Sequence, residues 1–454
     1  MFVHRPYLPH ETIVAIATPP GEGAIAIIRL SGKEAVKVAS KIFSKDLEKL
    51  ESHTVHFGSV RGLDKVKIDH ALAIVMRAPK TFTGEDCVEI QCHGGRLVSA
   101  QVLEAAIEAG ARAAMPGEFC FQAFMNGKID LAQAEAIQAL ICSKNENGLK
   151  IAQDQLEGAL SKRVEEWQNR LSDVAAIFEA WVDFPEEDLE FLPFDEVKGR
   201  LESVANEIKK LIDSFQQGRV IHDGVQLAFV GAPNVGKSSL MNALLGKDRA
   251  IVSPHAGTTR DLVEDDLQFG HLHLRLIDTA GIRSAKEEIE EEGIRRSRQA
   301  IERADIVLFI LDATEPDIAL FEGMPKEKTI AVWNKIDLPH EKPLPKLPFK
   351  HVVEVSAKTL FNLEELKREI DQIALHGHLP EKGEIVITQK RHKAALKTAF
   401  DFIQTVIQGL GSGVSPEFLT VDLRGCLNEL GTIRGTSVTD DILHSIFSQF
   451  CIGK

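Results

Sequence analysis

Paired cysteines, long apolar runs and excess positive charge are all missing from this chain, and each absence closes a class of protein. Six cysteines (Cys87, Cys92, Cys120, Cys142, Cys426 and Cys451) are scattered over 454 residues without a CxxC pair. That spacing argues against a disulfide framework and predicts free thiols in a reducing compartment. No segment approaches the ~18 consecutive apolar residues of a membrane-spanning helix. The opening MFVHRPYLPHETIVAIA places His, Pro and Glu where a signal peptide needs an unbroken apolar stretch. A soluble cytoplasmic protein with no membrane partner is the expectation. Lys and Arg total 53 against 67 Asp and Glu, a net charge of −14, so a surface that grips nucleic acid unaided is not expected. Any RNA contact must be local or shared. With 33 Gly and 18 Pro the chain is neither fibrous nor disordered, and 44 % hydrophobic with 26 % charged residues is an ordinary globular balance.

The length fits roughly three domains. From Thr12 to about Gly117, short β-type runs (Thr12–Ala17, Ala24–Leu30, Ala71–Met76, Val88–Cys92) alternate with Gly/Pro turns and with helical periodicity at Glu34–Phe43 and Leu97–Ala109, which predicts an α+β domain. From Phe119 to about Gln217 the pattern is helical, with a break near Asp183–Pro193. At Val225 a buried-strand run opens a region where apolar strands (Leu272–Ile277, Ile306–Leu311, Thr329–Trp333, Val352–Val355) alternate with helices up to Leu375, the signature of a parallel α/β sheet. Helices return at Thr388–Leu410, Pro416–Leu430 and Asp440–Phe450. The expected fold class is therefore multidomain α/β and all-α, with an α/β domain inserted into a discontinuous helical one. The boundaries fall at 1–118, 119–217, 218–376 and 377–454. The seven carboxylates of Asp183–Glu196 read as a solvated run.

The chemistry sits in the inserted region. Gly231-Ala-Pro-Asn-Val-Gly236-Lys237-Ser238 matches GxxxxGK[ST] between a strand and a helix, the context in which glycine-rich backbone cradles phosphates. In it Asn234, Val235, Gly236, Lys237, Ser238 and Ser239 are the expected nucleotide contacts, Lys237 reaching the β and γ oxygens and Ser238 holding Mg²⁺. Asp278, Thr279, Ala280 and Gly281 follow the strand LHLRLI, placing a carboxylate beside the Mg²⁺ and an amide near the γ-phosphate. Asn334-Lys335-Ile336-Asp337 follows TIAVW, and a carboxylate there can accept from guanine N1–H and N2–H₂, groups that adenine lacks. Ser356, Ala357 and Lys358 complete the base pocket. These motifs, each at a strand's carboxyl end, point to GTP rather than ATP.

Gly257-Thr258-Thr259-Arg260-Asp261 lies where GTPases carry the switch threonine, and Thr259 is the expected second Mg²⁺ ligand. The position after Gly281 is Ile282, where Ras-type enzymes place the glutamine that orients attacking water. Another group must do that work. The polar candidates nearby are Arg283 and the acidic run Glu287–Glu292, and spacing alone does not choose within the run.

Taken together, ATPPGEGAIAIIRLSG (Ala17–Gly32), TFTGEDCVEIQCHGG (Thr81–Gly95), NGKIDLAQAEAI (Asn126–Ile137), the phosphate loop, GTTRD, DTAGIR and the final CIGK (Cys451–Lys454) resemble the MnmE (TrmE) family of tRNA-modification GTPases over essentially the whole chain. The resemblance implies a folate-binding and dimerising N-terminal domain, a helical domain in two pieces, and an inserted Ras-like GTPase domain. It also implies a homodimer that joins the flavoprotein MnmG in a heterotetramer. That assembly would install a carboxymethylaminomethyl or aminomethyl group at C5 of the tRNA wobble uridine, with 5-formyltetrahydrofolate or another tetrahydrofolate as the one-carbon source. By the same resemblance, Arg29, Glu89, Lys128 and Lys454 contact the folate; a carboxylate can read the amide-like edge of a pterin, and cations suit its anionic tail. Asn234, Ser253, His255 and Thr258 surround a K⁺ ion, Ser253 and Thr258 counting also among the GTP contacts, and Glu290 orients the water.

Cys451 stands open as a reactive thiol or a small apolar residue, and Cys87, Cys92 and His93 lack a fourth metal ligand and read as strand-face packing. Two other classes share the nucleotide motifs. An Era-like ribosome-assembly GTPase would append a compact basic RNA module, whereas the region beyond Leu375 is not conspicuously basic. A GTP-driven scaffold would not bind folate.

Overall fold

The computed structural model describes residues 11–183, 193–245, 265–269, 272–277, 299–316, 324–339, 343–375 and 383–453. The first sheet is built from β1 (Ile13–Ile16), β2 (Ile25–Ser31), β3 (Thr54–Arg61), β4 (Lys67–Met76), β5 (Cys87–His93) and β6 (Arg112–Ala113), in the order β3-β4-β5-β2-β1-β6. All its pairings are antiparallel except β1 with β6. Strand alternation explains its two faces. Along β2, Ala26, Ile28 and Leu30 are buried in a core with residues of helices α1 (Ala35–Ile42) and α2 (Arg96–Glu108), while Ile27 and Arg29 point the other way. The strand β3 was not expected from sequence. Its Val55 and Phe57 stay exposed, only Ser59 and Val60 are buried, and Gly58 interrupts the alternation, so the run carries a weak strand signal.

The helices α3 (Glu118–Met125), α4 (Leu131–Cys142), α5 (Glu146–Leu156), α6 (Ala159–Asp183), α7 (Phe194–Asp213) and α8 (Phe215–Asp223) follow. The second sheet then comprises β7 (Val225–Val230), β8 (Asp265–Phe269), β9 (Leu272–Ile277), β10 (Ile306–Asp312), β11 (Thr329–Asn334) and β12 (His351–Glu354), with α9 (Lys237–Leu245) in the connection from β7 to β8 and α10 (Leu363–Ala374) after the last strand. Its order is β12-β11-β10-β7-β9-β8, parallel but for β8 on β9. Every residue of β11 is buried, as expected for a parallel strand covered on both faces. Alternate β10 residues enter separate cores, Leu308 and Ile310 on one side and Val307, Phe309 and Leu311 on the other. The chain finishes with α11 (Lys390–Gly411), α12 (Pro416–Arg434) and α13 (Asp440–Phe447).

Two compact units result: Met1–Ile141 with Gln155–Val204 and Thr398–Lys454, and Cys142–Asp154 with Ala205–Lys397. The helical part of the first is anchored by α6 against α12. Leu160, Val164, Trp167, Leu171, Val174 and Phe178 of α6 are buried at helical spacing, as are Leu419, Leu423, Cys426, Leu430 and Ile433 of α12. Trp167 is 1 % exposed, and truncating such a ring costs about 3–5 kcal/mol. Polar contacts fix the register, with Gln168 Nε2 donating to Leu427 O at 3.1 Å and Arg424 paired to Glu179 at 2.8 Å. Among the described residues no helix is long and apolar enough to cross a membrane.

Candidate functional site

In the second unit, the parallel strands β7, β10, β11 and β12 deliver Gly231, Asp312, Asn334 and Ser356 at or just past their carboxyl ends, the edge where α/β sheets bind ligands. The phosphate loop's shape is dictated by close approach. At Gly231 an added Cβ would sit 2.3 Å from Ile310 O, and at Gly236, with φ +95°, 2.3 Å from Asn334 Nδ2. Asn234 adopts φ 64°, a left-handed turn that Asn tolerates better than most residues. Lys237 opens α9 and its Nζ donates to Gly231 O at 2.8 Å and Ala232 O at 2.7 Å. Burial lowers its pKa. Ser238 and Ser239 follow in the first turn of α9, both exposed.

The base-side motifs form a connected network with that loop. Asn334, 2 % exposed, donates from Nδ2 to Val235 O at 2.9 Å and accepts from Ala357 N at 3.1 Å. Lys335, at φ 66°, donates to Asn234 O at 2.8 Å and to Asp312 Oδ2 at 2.6 Å. Ser356 Oγ donates to Asp337 Oδ1 at 2.6 Å and accepts from Thr359 N at 3.1 Å. Phosphate loop, Asn334–Asp337 and Ser356–Lys358 are thus one hydrogen-bonded assembly.

Asp312 is a member that sequence reasoning missed. Burial raises its carboxyl, but Lys335 and Thr314 outweigh that and hold it below its ordinary range. Its two oxygens divide the work, Oδ2 receiving Lys335 and Oδ1 receiving Thr314 N and Oγ1. The available signal was the register: Asp312 pairs with Asn334 across β10 and β11, which only the folded sheet reveals.

In the first unit, Arg29 of β2 and Glu89 of β5 are cross-strand partners, and Arg29 Nε donates to Glu89 Oε1 at 2.8 Å. Arg29 Nη1 also donates to Gly453 O at 3.1 Å, and its guanidinium lies over the Phe119 ring at 5.8 Å. The chain's last turn is fitted closely here: with φ +95° at Gly453, an added Cβ would meet Ile16 O at 2.8 Å. Lys128 is not part of that pair; its Nζ donates to Pro79 O at 2.5 Å. Cys87 and Cys92 are buried, with burial pushing their thiols up to about 12 and about 11, so neither is a ready thiolate. Cys451 is exposed. Ser253, His255, Thr258, Thr259, Asp278, Thr279, Ala280, Gly281, Glu290 and Lys454 lie outside the described residues, as does most of the run Asp183–Glu196.

The comparisons with known proteins agree across the chain. Residues 131–451 match the family model of the MnmE helical domain and residues 12–128 that of the GTP-binding protein TrmE N-terminus. The tRNA modification GTPase MnmE of Protochlamydia amoebophila is 53 % identical over 458 residues, covering 100 % of both chains. The chain belongs to the MnmE family of tRNA modification GTPases. Other MnmE relatives include that of Thermoanaerobacter pseudethanolicus, 40 % identical over 98 % of this chain and 99 % of its own, and that of Chlamydia abortus, 42 % identical over 98 % and 99 %. The fold class read from sequence is that of an MnmE protein: an N-terminal domain, a helical domain and a P-loop GTPase domain.

Proposed function

We propose that this chain is the GTP-hydrolysing subunit of an assembly that modifies C5 of the tRNA wobble uridine at position 34, adding a carboxymethylaminomethyl or aminomethyl group together with the flavoprotein MnmG. The observation that carries the reading is full-length similarity to MnmE proteins, combined with a phosphate loop locked by hydrogen bonds to a guanine-type base pocket. Residues 1–118 serve folate binding and dimerisation, 119–217 and 377–454 form the helical domain, and 218–376 the GTPase domain. The protein works in the cytoplasm as a homodimer within a heterotetramer, with tRNA held mainly through the complex.

Lys237 already rests against the loop's own carbonyls, so GTP exchanges those acceptors for phosphate oxygens at little rearrangement of the loop. Ser238 and Thr259 would hold Mg²⁺, with Asp278 beside it, and the ion would supply positive charge against that of the phosphates. Asn234, Ser253, His255 and Thr258 would hold K⁺. The left-handed turn at Asn234, fixed by Lys335 through its carbonyl, suits a side chain that must present an oxygen at a set position.

For the folate, Arg29 and Glu89 supply a guanidinium and a carboxylate side by side, only 20 % and 17 % exposed, a donor and acceptor set that suits a pterin edge. The folate would supply a one-carbon unit; the protein's part is to orient the ring and exclude water. Glu89→Gln is expected to weaken 5-formyltetrahydrofolate binding at least about tenfold, because a charge-assisted acceptor becomes neutral, while the GTP hydrolysis rate stays unchanged. Calorimetric titration beside a phosphate-release assay checks both. The whole reading is tested by mass spectrometry of tRNA nucleosides from cells lacking this chain: the C5-modified wobble uridine should vanish and return on complementation, and its persistence would refute the assignment.

A further inference from the structure

With a net charge of −14, an RNA contact of this chain has to be a short, local stretch of cations free of acids. No acidic residue occurs between Glu384 and Asp401, and Lys390, Arg391, Lys393 and Lys397 all fall in that interval. They occupy the start of α11. Lys390, Lys393 and Lys397 stand at i, i+3 and i+7, which sets their side chains along one side of the helix over about 10 Å of its axis. The opposite side of the same turns is buried through His392, Ala395 and Leu396, so the stripe cannot rotate away from the surface. Lys390 and Lys397 are exposed, and neither makes an ion pair or side-chain hydrogen bond among the described residues. The Lys393 ammonium lies over the Phe215 ring at 4.7 Å, which fixes the middle of the row.

The placement works against the helix. A helix N-terminus is the positive end of its dipole and favours acids, yet the first turn of α11 contains none. Like charges at i, i+3 and i, i+4 also repel one another. A local choice that opposes folding in this way is a mark of selection for something else. The exposed neighbours of the lysines on this stretch are Ala394, between Lys393 and Lys397, and Thr398, just after Lys397, and they offer no aromatic or large apolar anchor of the kind that organises protein interfaces. A spaced row of ammonium groups without anchors fits a polyanion.

We propose that the Lys390–Lys393–Lys397 stripe is the chain's own contact to the phosphate backbone of tRNA. The inference rests on the tRNA-modification reading above and adds a location to it. Lysines act there as point charges that position RNA without reading its bases, which suits a subunit whose overall charge is unfavourable for RNA. The test uses the full chain, alone and with its flavoprotein partner, titrated with labelled tRNA lacking the wobble modification at several salt concentrations. Lys390→Glu with Lys397→Glu should lower tRNA affinity at least about tenfold at low salt. It should also flatten the log–log salt dependence by about 1.4–1.8, the contribution of two phosphate contacts. GTP hydrolysis should not change, and the melting temperature should stay the same or rise, since a glutamate at position 390 suits the helix N-terminus and both glutamates lie three or four residues from Lys393. The milder Lys390→Gln with Lys397→Gln should give a smaller loss of the same sign. Unchanged tRNA affinity and slope would overturn the stripe. So would lost capture of the flavoprotein with tRNA binding intact, which would make it a protein contact, or a lowered melting temperature in both variants, which would assign the lysines to the fold. If the unsubstituted chain binds no tRNA in either setting, the tRNA-modification reading itself falls.

Discussion

Asp337→Asn is expected to reduce GTP affinity by about 10²-fold or more, worth roughly 2.8 kcal/mol, and to shift preference toward xanthosine nucleotides. The reason is a mismatch of donors. Guanine presents N1–H and N2–H₂, and a carboxylate accepts from both at once; an amide must turn one donor against them, leaving a buried polar group unpaired. Xanthine carries a carbonyl at C2, which accepts from that new amide. The surroundings favour a clean result. Asp337 Oδ1 accepts from Ser356 Oγ at 2.6 Å, and an asparagine oxygen can keep that bond. The loop contacts of Asn334 and Lys335 do not pass through Asp337. Competition of GTP and xanthosine triphosphate against a fluorescent guanine nucleotide measures the switch, and an unchanged base preference would remove Asp337 from the pocket.

What could be read in the sequence is what the chain holds contiguously. The phosphate loop is legible because its glycines, Lys237 and Ser238 lie within eight residues that run from the end of β7 into the first turn of α9, and its chemistry needs no distant partner to be named. The buried strands β10 and β11 are legible because both faces are covered and every position is apolar or nearly so. Legibility fails where a role is created by pairing. Asp312 is one carboxylate after an apolar strand until the register sets it beside Asn334 and within reach of Lys335. The Arg29–Gly453 contact joins residues 424 apart, so no local pattern reports it. The strand β3 hides for a different reason. It contains Gly58, where an added Cβ would meet the Phe43 ring at 2.6 Å, so close packing demands the residue that weakens the strand signal. Arg29 and Glu89 lie 60 residues apart in sequence and come together only through the register, which sets them opposite each other across β2 and β5.

Glu290→Ala is expected to slow GTP hydrolysis by about 10²-fold or more while leaving GTP affinity within about a factor of two, because a group that positions water contributes in the transition state and not in nucleotide binding. Ile282 stands where a glutamine would otherwise orient that water, so the usual water-positioning glutamine is not there to take over. The affinity should survive because the groups proposed to hold the nucleotide are other residues: Lys237, the loop amides, and the Asn334–Asp337 network. The same logic separates Glu290 from the cation. If Asn234 helps to hold K⁺ beside the phosphates, positive charge enters where an arginine would otherwise stabilise the transition state, and hydrolysis should be faster in K⁺ than in Na⁺. Asn234→Ala should erase that difference, whereas Glu290→Ala should lower the rate in both salts and preserve the ratio between them. Single-turnover hydrolysis of the two variants in each salt, with nucleotide affinity measured in parallel, distinguishes the roles. Equal rates of the unsubstituted protein in K⁺ and Na⁺ would refute the cation site, and a loss of GTP affinity matching the loss of rate would move Glu290 from water positioning to nucleotide binding.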